Sequence, residues 1–204
     1  MIAVLTGDVV NSRKLKPEEW LIHLKNGLQL FGKEPLDWEI YRGDSFQIKT
    51  TVEKALLFAL ILKAWMKQLK EIDVRISIGV GKESFKGTKL TEANGTAFEL
   101  SGLGFDRLNK QHLSITTDNL FLNDTFKVMC DLSLLTMDKW SNKTAEIVFT
   151  KLQNPTMNQT EIAVLLGKKQ GNISESLKRA GYDEMIQFIT YYQREIKIYV
   201  ATAS

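Results

Sequence analysis

Two acidic residues stand where a sheet would bring them together. Asp8 follows the apolar run Ile2–Thr6, and Asp44 lies in Arg42-Gly43-Asp44-Ser45, between two strand-like segments. Paired carboxylates at neighbouring strand ends are a donor set for one divalent cation, Mg²⁺ or Mn²⁺, whose shell triphosphate oxygens would complete. The same residues also suit plain Asx turns beside glycine, and the spacing leaves both readings open. Asn11, Ser12 and Arg13 follow Asp8 in one loop, and Arg42 and Gly43 precede Asp44. These five are the candidate contacts to a nucleotide or another phosphorylated small molecule, although Arg13 with Lys14 and Lys16 equally fits a solvated charge cluster.

A second group has the chemistry of DNA contact. Between Asn158 and Gly181, Asn158 or Thr160 can cap a short helix. Ala163 is small where two helices would cross, and Gly167 stands where the turn needs a positive φ. Ile173 and Leu177 give a second helix its buried face. That helix turns Lys169, Gln170, Ser174, Glu175 and Lys178 outward, with Lys168 and Asn172 beside them. Lysines there meet phosphates, and Gln170 can read a base edge. The bland alternative is an αα-hairpin inside a bundle. The stretch resembles the helix-turn-helix of bacterial winged-helix and related regulators, closely at Thr160-Glu161-Ile162-Ala163 and Asn172-Ile173-Ser174. That resemblance implies binding of double-stranded DNA by a homodimer on a paired site. No wing hairpin is visible after Gly181, where Tyr182–Val200 reads as a long helix.

The elements that must position these residues fall into two kinds of text. Up to about residue 130, strand and helix signals alternate. Ile2–Thr6 reads as a strand, Pro17–Phe31 as an amphipathic helix, and Leu36–Tyr41 with Phe46–Thr50 as a hairpin. Val52–Leu69 is a helix too apolar to lie on a surface, and Val74–Val80 is a strand with Val74, Ile76, Ile78 and Val80 on one face. Ala93–Leu108 reads as a Gly-rich helix and His112–Thr116 as an edge strand. This order predicts an α+β fold, a mostly antiparallel sheet with helices on one face, over residues 1–130. Residues 131–204 read as all-α: one helix over Leu132–Leu152, a break at Asn154-Pro155, then three more helices.

The N-terminal motifs also carry a family resemblance. Asp8-Val9, Arg42-Gly43-Asp44-Ser45-Phe46, Val74-Arg75-Ile76-Ser77-Ile78-Gly79 and Gly95-Thr96-Ala97-Phe98 together resemble the core of nucleotidyl cyclases, class III and GGDEF domains alike. More narrowly, Thr6-Gly7-Asp8-Val9-Val10-Asn11-Ser12-Arg13 with Arg42-Gly43-Asp44-Ser45-Phe46-Gln47 resembles the bacterial SatD family, which joins such a domain to a helix-turn-helix. The resemblance implies a ferredoxin-like, cyclase-like domain with Asp8 and Asp44 as metal ligands. Class III cyclases place Asn and Arg four and eight residues after the Gly that opens this helix. Here Glu99 and Leu103 occupy those positions, and neither stabilises charge developing on phosphate. The expectation is therefore a DNA-binding transcriptional regulator with a nucleotide-sensing domain. The alternative is a metal-dependent nucleotidyl cyclase or nucleotidyltransferase regulated by its helix-turn-helix.

Composition sets the outer bounds. The chain has 204 residues, 44% apolar and 25% charged, which excludes a disordered or collagen-like chain. One cysteine, Cys130, excludes an internal disulfide framework and an all-cysteine metal cage. His23 and His112 have no partners at ligand spacing, so no zinc site is expected. The net charge of +3 is spread through both halves, so any DNA contact must come from local placement of charge. The apolar run Ala55–Leu62 falls far short of the ~20 residues a membrane span needs. With no signal-like start, the expectation is a cytoplasmic protein without membrane contact.

Overall fold

The computed structural model describes residues 1–202 and has an α+β architecture, a five-stranded mixed sheet with eight α-helices. Strand β1 (Ile2–Val10) is central. It pairs antiparallel with β3 (Ser45–Thr50) on one side and β4 (Asp73–Gly81) on the other. β2 (Trp38–Tyr41) completes the hairpin with β3, and β5 (Leu113–Thr116) runs parallel to β4 at the far edge. The order is β2-β3-β1-β4-β5, and three of its four pairings are antiparallel. Central position explains why β1 is an almost continuous apolar run, since both its faces are covered.

Helices cover both faces, not one. Val74, Ile76, Ile78 and Val80 join α2 (Ala55–Met66) and α1 (Pro17–Leu28) in one buried core. The alternate residues of β4 are Ser77, Gly79 and Gly81, and they admit α3 (Thr96–Asp106) at close range on the other side. A Cβ at Gly79 would lie 2.2 Å from the Ser101 nitrogen and 2.3 Å from the Ala97 oxygen. Small residues on that face therefore record a helix at backbone distance, not a solvated surface. The Thr6 and Ser101 hydroxyls pair across this seam at 2.8 Å.

The helix expected over Leu132–Leu152 is two helices, α4 (Leu120–Met137) and α5 (Asn142–Gln153). Ser141 makes the break: its side chain accepts from the Thr144 N–H and starts a new helix. Then follow α6 (Gln159–Leu166), α7 (Gln170–Ala180) and α8 (Tyr182–Thr202). Residue 130 lies inside α4, and one buried core runs from the sheet through α2 into α4, α5 and α8. The Phe149 ring packs tilted against Trp65 with centroids 4.9 Å apart, and Tyr192 donates its hydroxyl to the Val52 carbonyl at 2.7 Å. Among the described residues, no helix is long and apolar enough to cross a membrane.

Candidate functional site

Sheet register brings Asp8 and Asp44 to the same end of β1. Asp8 faces Ser45 on β3 and Arg75 on β4, and the Val9 N–H donates to the Asp44 carbonyl at 3.2 Å. The turn Arg42-Gly43-Asp44 joins the paired residues Tyr41 and Ser45, with φ of 50° at Arg42 and 87° at Gly43. The Ser12 hydroxyl donates to Asp44 Oδ2 at 2.8 Å, fastening the turn to the loop after β1. Asn11, itself at φ 62°, donates instead to the Glu71 carbonyl at 2.8 Å, and Arg13 is exposed. Asp8, Ser12, Arg42, Gly43 and Asp44 thus cluster, while Asn11 is turned toward the loop before β4.

The cation at this point is Arg75. Its guanidinium grips both Asp8 oxygens, with Nε 2.9 Å from Oδ1 and Nη2 on Oδ2. It also donates to the Leu108 carbonyl at 3.3 Å and lies 5.4 Å over the Phe105 ring. The Asp8 hydrogen bonds raise the Arg75 pKa against partial burial, and Asp44 adds to the effect. Both carboxylates therefore act on one guanidinium, and a divalent ion would have to displace it from Asp8. Burial pushes the nearby Tyr41 phenol up; Arg42 opposes this, while Asp8 and Asp106 reinforce it. Glu99 and Leu103 line a groove at the other end of β4 with Gly81 and Lys82, away from these carboxylates.

A second polar cluster lies at the start of β4 and eluded sequence reasoning. Lys63, only 2% exposed, sits inside apolar α2 and donates to both Asp73 oxygens at 2.9 and 3.0 Å. It also lies 2.8 Å from Asp138 Oδ1. Lys67 reaches Asp73 Oδ2 and the Asp138 carbonyl, each at 3.0 Å. His112 Nδ1 is 3.1 Å from Asp138 Oδ1 and 3.5 Å from Asp73 Oδ2. Burial pushes Asp73 up, but Lys63, His112 and Lys67 outweigh it and hold the carboxyl below the usual range. Hydrogen bonds to Asp138 and then Asp73 raise His112 to about 9, against burial and Lys63.

Asp73, His112 and Asp138 lie close enough together to hold a metal ion. Lys63 and Lys67 already pair with these two carboxylates, so the cluster carries its own counter-charge. The signal was in the sequence: a lysine amid the apolar residues of Val52–Leu69 requires a buried counter-charge.

The third candidate is the α6–α7 pair. Asn158 caps α6 in a full capping box with Glu161, and Gly167 ends it at φ 61°. Ile173, Ser176, Leu177 and Ala180 are the buried stripe of α7. Lys169, Gln170, Asn172 and Lys178 are exposed and Ser174 is half-buried, as their places on the helix require. Lys168 differs: its ammonium pairs with Glu146 of α5 at 2.8 Å and fixes the turn against that helix. Gln170 donates to Gln159 Oε1 at 3.0 Å across the pair. A groove of about 410 Å³ runs between α5 and α7, lined by Lys143, Lys168, Asn172, Glu175 and Arg179. Among the described residues no wing strand follows; α8 begins directly after Gly181.

No protein-family model, curated protein or solved structure matches this chain.

Proposed function

We propose that this protein is a DNA-binding transcriptional regulator in which α7 enters the major groove. The observation that carries the reading is the division of α7 into two arcs. One is buried on the bundle through Ile173, Ser176, Leu177 and Ala180; the other presents Gln170, Asn172, Ser174, Lys178 and Arg179. A helix seated this way, opening just after a left-handed glycine turn, can put its first residues against base edges. Gln170 supplies a bidentate amide and Lys169 and Lys178 supply phosphate contacts, which together give register and readout. Lys168, tied to Glu146, fixes the turn against α5.

The sheet end around Asp8 and Asp44 acts as the sensor in this reading. Its ligand is a nucleotide or another phosphorylated small molecule, taken up with Mg²⁺ or Mn²⁺. Metal and Arg75 compete for the Asp8 oxygens, so uptake opens the Asp8–Arg75 pair and frees a guanidinium for phosphate. The reading follows the resemblance of Thr6–Arg13 and Arg42–Gln47 to the SatD family. Selection of duplexes from a random pool by the full chain tests the reading. Wild type should enrich a defined site and Gln170→Ala should lose preference at one base pair. No enrichment by wild type, or an unchanged preference in the variant, would overturn it.

A further inference from the structure

α4 buries one side and leaves an apolar stripe on the other. Leu122, Phe126, Cys130, Leu134 and Met137 face the core. Opposite them, Phe121 is 77% exposed, Val128 58%, Leu132 61% and Leu135 62%. With Thr125, these residues are spaced 4, 3, 4 and 3 apart, the repeat of a helix that packs along a second helix. Thr125 does not break the stripe, since its hydroxyl is spent on the Phe121 carbonyl at 3.0 Å. A spacing of 3.5 residues on a fixed, already folded helix is matched by a copy of itself.

We propose that two copies of this chain associate through this stripe of α4, with the two helices parallel. Two observations select a second copy. The exposed fractions leave about 100 Å² of apolar surface on each side chain. With Leu120, 78% exposed, and the flanking stems, two copies cover on the order of 1,000 Å², where specific interfaces begin. The charge along the stripe is one-sided: Asp124, Lys127 and Asp131 line one flank, two carboxylates to one ammonium with Lys127 paired to Asp131 at 2.6 Å, and Met129 and Thr136 line the other. A flank that stays net acidic after the Lys127–Asp131 pair disfavours an anionic lipid surface. It also sets the direction, because antiparallel helices would bring the two net-acidic flanks together, Asp124 against the Lys127-paired Asp131 of the other copy. Parallel helices set Asp124 against Met129 and Asp131 against Thr136. Packing of the buried face has already ordered α4, so pairing does not have to fold it. Thr136 lies beside Gly181 at the end of α7, so parallel pairing also leaves both α7 helices at one end of the dimer. The interface does not depend on the DNA reading.

Light scattering on the full chain during size exclusion tests the proposal. Wild type should elute as a dimer at micromolar concentration. Val128→Glu/Leu132→Glu should be a monomer with an unchanged circular-dichroism spectrum, its self-association weakened by more than about 100-fold because two charges would be buried. Direction is read by cross-linking. Leu135→Cys should oxidise to a covalent dimer, whereas a mixture of Phe121→Cys and Leu135→Cys chains should give no mixed dimer beyond chance. Cys130 does not interfere, since it is buried and burial pushes its thiol up. The proposal is overturned by a monomeric wild type, by one that instead cosediments with phosphatidylglycerol vesicles, or by a double variant that stays dimeric. Preferential cross-linking of Phe121→Cys to Leu135→Cys would overturn the parallel arrangement.

Discussion

Replacing Asp73 by Asn should expose how strongly the buried ion cluster binds the sheet to the helices. Asp73, 5% exposed, accepts from Lys63 twice, from Lys67 and from the Val74 N–H at 2.8 Å. Asparagine keeps the volume and one acceptor but removes the charge, leaving Lys63, Lys67 and protonated His112 around Asp138 alone. Removing one partner of a buried pair costs about 3–5 kcal/mol. Asp138 remains 2.8 Å from Lys63, which places this case near the lower end, at about 3 kcal/mol. For a chain of this length each kcal/mol moves Tm by about 2–4 °C, so Asp73→Asn should melt about 6–12 °C lower at pH 7. Thermal unfolding by circular dichroism reads this directly. Lys63→Met/Asp73→Asn should regain part of the loss, because the orphaned ammonium is gone. A Tm within about 2 °C of wild type for Asp73→Asn would refute the reasoning. So would single costs that simply add in the double variant.

Acid and base titration should bracket the same cluster. The Asp73 pKa is depressed in the folded state, so its contribution is present above its ordinary value near ~4 and fades as pH falls below it. His112 has the opposite sign: raised to about 9, it contributes fully below its ordinary ~6.5, and that stability is lost as pH climbs through about 9. His112→Gln should therefore flatten the decline in Tm over this alkaline window, and a wild-type slope in the variant would contradict the assignment. At the start of α6, Asn158→Ala removes the acceptor of two backbone N–H groups. It should cost about 1 kcal/mol in urea unfolding with the slope unchanged; no cost would mean the capping box is not formed in solution.

Local chemistry was legible, and distant pairing was not. The alternation Val74, Ile76, Ile78, Val80 marked β4 and its core face, and Gly167 and Asn158 marked the turn and cap of the α6–α7 pair, because each signal lies within a few residues. The second face of the sheet was missed for a physical reason. Ser77 and Gly79 look like a weakened strand until α3, some twenty residues on, is seen to need their space. Asp8 and Asp44 come to the same end of β1, but the cation on Asp8 is Arg75, which only the β1–β4 register places opposite it. The Lys63–Asp73–Asp138–His112 cluster draws on four separate parts of the chain, and no spacing rule joins them. The break at Ser141 was overlooked because apolar periodicity continues on either side of it.

The central claim is that the open arc of α7 reads duplex DNA. Its most direct measurement is fluorescence anisotropy of the full chain on a selected duplex and a scrambled one, over a series of salt concentrations, for wild type, Lys169→Ala and Gln170→Ala. The account predicts that Lys169→Ala lowers affinity for both duplexes and reduces the salt slope by about 1. Gln170→Ala should keep the slope and lose about 1–3 kcal/mol of preference for the selected duplex. Unchanged slope and unchanged preference in both variants would contradict the account and leave α6–α7 as a hairpin of the bundle.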